Sequence, residues 1–217
     1  MIIGIDLDNT IITYDLVFYN YAVKNNFIHS NLPIDKKSIR DSIRLSHGDE
    51  VWTELQGIIY GSKMNEADFA EGFLDFFQFT SRKSIEIRII SHKSRFSASK
   101  ATYDLHKAVR VWFEQNADIF QNHPCFKVSK DIYLEPDLVS KVQRIQELSC
   151  DYFIDDLEEV LTDKHFPFRT QRILYAPRNS YFQETLQDKN NAVLQISHWK
   201  HIQKFFEKKI ECLHVNE

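Results

Sequence analysis

The sequence predicts a three-layer α/β fold: a mostly parallel, Rossmann-like sheet between layers of helix, with a small α-helical cap inserted near its start. Short apolar runs rich in β-branched residues alternate with helical periodicity along most of the 217 residues. Three of those runs end abruptly in polar side chains, as strands do when they deliver groups to one edge of a sheet. Between the first two, helical spacing continues without a convincing strand, so the insertion belongs there.

Residues 2–7 read as a buried central strand that carries Asp6 to its carboxyl end. From about Asp15 to Thr80 the apolar positions fall at helical intervals: Leu16, Tyr19, Val23 and Phe27, then Ile39 and Ile43, Val51 and Leu55, and finally Phe69, Phe73, Phe76 and Phe77. Four helices are expected, with Asp35 and Asn65 as N-caps and breaks at Gly48 and at Gly61-Ser62. The predicted organisation is a core of residues 1–14 and 81–217 with an inserted helical cap of residues 15–80.

Residues 85–90 form a second strand ending at Ser91-His92-Lys93-Ser94, followed by a helix with the apolar face Leu105, Val109, Trp112 and Phe113. Residues 125–128 and 132–134 are short strand candidates, and Leu138, Val142 and Ile145 mark another helix. Tyr152-Phe153-Ile154 then leads into Asp155-Asp156, two later strands cover 172–176 and 192–196, and Trp199, Ile202, Phe206 and Ile210 stripe the last helix.

With 43% apolar and 27% charged residues the chain has the composition of a soluble globular domain, which excludes a fibrous or wholly disordered protein. Its net charge of -4 carries no basic block, so a nucleic-acid polymer is not an expected partner. Cys125, Cys150 and Cys212 form no CxxC pair, and neither a disulfide framework nor a zinc site is expected. Asp6 and Asp8 interrupt the apolar amino terminus, and no run reaches the roughly 18 to 20 apolar residues of a membrane span. A cytoplasmic protein without a membrane partner is expected.

Asp6 and Asp8 leave one strand on the same side, about 7 Å apart, and like charges that close need a cation or a shared proton. Asp155 and Asp156 at a second strand end add carboxylate oxygens, and such an oxygen-rich group suits magnesium. An isolated Asp-x-Asp is more often a turn or a cap; what lifts these pairs is that each closes an apolar strand of one sheet.

The segment Ile3-Gly4-Ile5-Asp6-Leu7-Asp8-Asn9-Thr10 resembles the first signature of the haloacid-dehalogenase (HAD) superfamily, an apolar strand followed by D-x-D-x-T. Ser91 after its strand, Lys141 at a helix start and Asp155-Asp156 follow in that superfamily's order, and the inserted helices resemble its C1-type cap. The resemblance implies a magnesium-dependent phosphohydrolase acting on a small phosphorylated metabolite, a sugar phosphate or a nucleotide, through an aspartyl-phosphate. Asp6 is then the nucleophile and a metal ligand, Asp8 the acid/base with its carbonyl on the metal, and Ser91 and Lys141 the groups that steady the phosphoryl oxygens. Thr10 and His92 are the expected substrate-binding residues, and Asp155 with Asp156 completes the metal set. Glu159 competes with Asp156 for that place, and Lys127 and Lys130 compete with Lys141.

Asp8 favours phosphoryl transfer over dehalogenation, because a halide leaves without a proton. A phosphotransferase or mutase, a 5'-nucleotidase (Phe153-Ile154-Asp155-Asp156 resembles the ending found in some deoxynucleotidases), and a catalytically silent phosphate- or protein-binding member are the alternatives. The aromatic side chains Tyr14, Tyr19, Tyr21 and Trp52 read as cap core before they read as pocket lining.

Overall fold

A computed structural model of the chain describes residues 1–177, 183–185 and 192–214. Its main sheet has seven strands in the order β5-β4-β1-β6-β7-β9-β8. These are β1 (Ile2–Ile5), β4 (Glu86–His92), β5 (Ile132–Glu135), β6 (Tyr152–Asp155), β7 (Gln171–Tyr175), β8 (Gln183–Thr185) and β9 (Val193–Ile196). All neighbouring pairs are parallel except β8 with β9, which is antiparallel. The chain runs from β1 outward to β4 and β5, then returns to β6 on the other side of β1. The order therefore reverses at the β1–β6 pair, and the crevice at the carboxyl ends of those strands is where such sheets bind ligands.

Alternation along β6 sorts the helices onto two faces. Tyr152 points at α9 (Trp199–His214), its ring 4.8 Å from that of Phe206. Phe153 points the other way, into a cluster with Ile90, Val142 and Ile145, the last two carried by α7 (Leu138–Glu147). Gly4 faces Phe153 so closely that an added Cβ would lie 2.5 Å from its Cδ2, which leaves hydrogen as the side chain that fits. By the same two-residue period Asp6, after Gly4, and Asp155, after Phe153, are directed toward the α7 face.

The chain divides into two compact units. The first, residues 1–11, 69–92 and 120–217, contains the main sheet together with α4 (Phe73–Arg82), α7, α8 (Glu158–Leu161) and α9, and of α6 (Ala117–Phe120) only its last residue. α4 joins the sheet through its aromatic face: Phe76 lies 4.9 Å from Trp199 and 5.9 Å from Phe206, ring to ring. The second unit, residues 12–68 and 93–119, contains α1 (Asp15–Lys24), α2 (Lys36–His47), α3 (Asp49–Tyr60) and α5 (Leu105–Gln115). The helical unit thus has two segments where the periodicity suggested one of residues 15–80. Helical spacing alone does not say which partner an amphipathic face will choose.

Asp35 caps α2 as expected, its carboxylate accepting the Ser38 N–H at 2.9 Å, and Gly48 with φ 87° separates α2 from α3. Asn65 is not an N-cap; it lies inside a short 3-10 turn, Met64–Glu66. Two-residue strands β2 (Ile12–Thr13) and β3 (Asp68–Phe69) pair with each other where no strand was expected. Residues 125–128 form turns rather than a strand. There the Asp131 carboxylate captures the Lys127 N–H at 2.6 Å, and the Lys127 carbonyl accepts N–H groups of Lys130 and Asp131, so the backbone closes on itself instead of extending. Tyr14 and Trp52 are buried in the core of the helical unit, with the Trp52 ring stacked 5.1 Å from Phe18.

Candidate active site

All the groups singled out at strand and helix ends belong to the sheet unit. The Asp6 N–H donates to the Ile154 carbonyl at 2.9 Å, extending the β1–β6 ladder by one residue. Since Ile5 pairs with Ile154, Asp6 and Asp155 are the next residues on adjacent parallel strands and emerge side by side. The chain then turns at once: the Ile11 N–H donates to the Leu7 carbonyl at 3.0 Å, with Asn9 in the left-handed region at φ 62°. Asn tolerates that conformation better than most residues with a side chain. The turn buries Thr10, whose hydroxyl points at Asp156 Oδ1, 3.5 Å away, while its carbonyl accepts a 3.1 Å hydrogen bond from Trp199 Nε1.

Lys141 sits in the first turn of α7, a helix capped by Asp137, which accepts the Ser140 N–H at 2.7 Å. Its side chain is 1% exposed, and Nζ lies 2.6 Å from Asp6 Oδ1 and 2.6 Å from Asp155 Oδ2. The second oxygen of Asp155 accepts the Leu157 N–H at 2.9 Å. Buried charges persist only when paired and hydrogen-bonded, and this trio satisfies that condition internally.

The electrostatics follow from burial. Desolvation pushes the Asp6 carboxyl up to about 7; Lys141 pulls it down, while Asp155 and Asp8 push it further up. Burial likewise raises Asp155, against the opposing pull of Lys141 and of backbone N–H groups. For Lys141 burial favours the neutral amine, but the two carboxylates outweigh it and hold the ammonium well above the usual lysine range.

One carboxylate oxygen from each of Asp6, Asp155 and Asp156 falls within 4.8 Å of the others, a set of hard donors fitted to a divalent cation. Asp156, beside the strand end, belongs to this group; Glu159 is exposed on α8. Lys127 and Lys130 are exposed as well, which leaves Lys141 as the lysine at the carboxylates. The Asp8 side chain is half-buried and outside the trio, though close enough to raise Asp6. Ser91 is buried at the end of β4, and no hydrogen bond among the described residues joins it to Asp6, Lys141 or Asp155. His92 is exposed; the electrostatic neighbour it acts on is Asp137 at the start of α7.

No family model matches the sequence, and no curated protein sequence matches it. Solved structures do match, over nearly the whole chain. A HAD-superfamily hydrolase from Ehrlichia chaffeensis aligns with TM-score 0.50 at 14% identity, covering 96% of this chain and 96% of that one. A HAD-superfamily hydrolase, subfamily IA, variant 1, from Geobacter sulfurreducens aligns with TM-score 0.51 at 11% identity over 94% and 95%. A HAD family hydrolase from Deinococcus radiodurans, solved with bound phosphate and sodium, aligns with TM-score 0.51 at 11% identity over 90% of each chain.

The chain has the HAD hydrolase fold. On that HAD sheet the carboxylates and Lys141 gather at the switch point, where sequence order alone had placed them on three separate elements. Trp199, whose indole N–H supports the turn that follows β1, is not singled out by the sequence. It was read only as part of an apolar stripe, and no local spacing could reveal a hydrogen bond to a carbonyl 189 residues away.

Proposed function

We propose that the chain is a magnesium-dependent phosphohydrolase that cleaves a small phosphate monoester through an aspartyl-phosphate on Asp6. The observation that carries this reading is the buried Asp6–Lys141–Asp155 group with Asp156 beside it and Asp8 two residues beyond the nucleophile. Asp6 needs to be ionised to attack, yet burial holds its carboxyl up near 7 despite Lys141, so the site suits a further cation. Asp6, Asp155, Asp156 and the Asp8 carbonyl would hold magnesium, which when bound neutralises phosphoryl oxygens and favours the carboxylate form. A fold neighbour holding phosphate and sodium is in keeping with this chemistry.

In the first half-reaction Asp6 attacks phosphorus and the ester P–O bond breaks, Asp8 giving its proton to the leaving oxygen. In the second, water attacks the aspartyl-phosphate while Asp8 takes back a proton, releasing phosphate and the Asp6 carboxylate. Lys141 balances negative charge on Asp6 and the phosphoryl group, and Ser91 donates a hydrogen bond to a phosphoryl oxygen. Thr10, aimed at Asp156, orients that carboxylate. His92, exposed beside the Ser91 strand end, offers a ring nitrogen to a substrate with a second polar part.

The test is hydrolysis of p-nitrophenyl phosphate and of a panel of sugar phosphates and nucleotides with magnesium. Turnover should depend on the metal and fall by about 10³-fold or more in Asp6→Asn. Metal-independent turnover, or activity that survives Asp6→Asn, would overturn the proposal.

A further inference from the structure

The ammonium of Lys141 is bonded to two of the three carboxylates that form the cation-binding group. It lies 2.6 Å from Asp6 Oδ1 and 2.6 Å from Asp155 Oδ2, whereas Asp156 is held instead by Thr10. At 1% exposure Lys141 has little water to share the charge with, and its stem lies against the core, Nζ 5.5 Å from the Phe153 ring centroid. Asp155 cannot swing away, because its other oxygen accepts the Leu157 N–H. Asp6 is fixed at the end of β1 by the ladder bond to Ile154.

We infer that Lys141 sets the cation affinity of this site, acting as an internal counter-ion that holds Asp6 and Asp155 together and opposes the metal that uses the same carboxylates. This rests on the proposed reading of Asp6, Asp155 and Asp156 as metal ligands. Three carboxylates and one ammonium carry a formal charge of -2, which one divalent cation balances. Without the ammonium the same three carboxylates, when all are ionised as they are on a bound metal, carry -3, and the attraction for a dication rises steeply at the low effective dielectric of a buried site. The lysine therefore weakens the metal's hold at the same time as it serves the phosphoryl group. The carboxylates stay in place when no metal is bound, because the ammonium remains.

The measurement is the dissociation constant for Mn²⁺ and Mg²⁺, by titration calorimetry at pH 8, in wild type, Lys141→Met and Lys141→Arg. Lys141→Met should bind Mn²⁺ at least about tenfold more tightly, and Lys141→Arg, which keeps the charge, should stay within about threefold of wild type. Saturating Mg²⁺ should also raise the melting temperature of Lys141→Met more than that of wild type. If Lys141→Met folds only when metal is present, that too supports the counter-ion role. Should it fail to fold under either condition, the shorter neutral Lys141→Gln takes its place under the same criterion. Equal or weaker metal binding in the neutral variants overturns the inference. No binding by wild type up to about 10 mM metal is a different result, which overturns the functional reading itself.

Discussion

Replacing Trp199 with Phe tests how the last helix supports the loop that follows β1. The indole N–H donates to the Thr10 carbonyl at 3.1 Å in a fully buried setting, and phenylalanine keeps most of the ring contacts with Phe73, Phe76 and Tyr175 while removing that donor. A buried carbonyl left without its partner costs about 1–3 kcal/mol. The smaller ring adds about 1 kcal/mol of lost burial, so Trp199→Phe should lose about 2–4 kcal/mol. Urea denaturation followed by circular dichroism measures this directly. Because Thr10 also aims its hydroxyl at Asp156, a loosened loop should raise the magnesium concentration for half-maximal activity severalfold. Phe206→Leu, on the same helix, is the control: it should cost stability without changing the metal requirement. Loss of under about 0.5 kcal/mol together with an unchanged metal requirement would refute the support role.

Asp8→Asn should slow hydrolysis of an alkyl phosphate by about 10²–10⁴-fold and of p-nitrophenyl phosphate by less, because nitrophenolate departs without a proton; equal losses on both would argue against Asp8 as the acid. His123 is 2% exposed, and its Nδ1 accepts the Cys125 N–H at 3.2 Å, which leaves Nε2–H to donate to Thr80 at 3.1 Å. Burial, aided by Lys127 and opposed by Asp131, pushes this imidazole down to about 4 from 6.5. The unfolded chain therefore binds the extra proton first: stability is full above about 6.5 and falls as pH drops toward about 4, by up to about 3 kcal/mol, a slope that His123→Gln should flatten in urea titrations across that window. Gly4→Ala should destabilise the fold by at least about 1–3 kcal/mol, since the new Cβ would meet Phe153 at 2.5 Å and Cys150 Sγ at 3.0 Å; a neutral effect in thermal melts would show that β1 and β6 can separate.

Three features were legible in the sequence because they are local. Asp6, Ser91 and Asp155 each follow a buried run short enough to read as a strand, and the parallel sheet orders their carboxyl ends along one edge. Asp35 announced its helix in the same way, through a side chain three residues from the N–H it accepts. The reading failed where backbone hydrogen bonding overrode composition, as at residues 125–128, whose apolar Phe126 anchors a turn. Among the described residues no helix is long and apolar enough to cross a membrane, in line with the absence of a long apolar run.

What the chain determined by itself was the identity of the chemical groups and the kind of sheet that would present them. Periodicity and strand ends are properties of neighbouring residues. Only the tertiary structure decided which lysine and which second acid join Asp6. Lys141, rather than Lys127 or Lys130, projects from α7 onto the face where Asp6 and Asp155 emerge, and Asp156, rather than Glu159, stays beside the strand end. Tertiary packing alone also sent α4 to the sheet and α5 to the helical unit, because an apolar helical face specifies that it will be buried and leaves its partner to the rest of the fold.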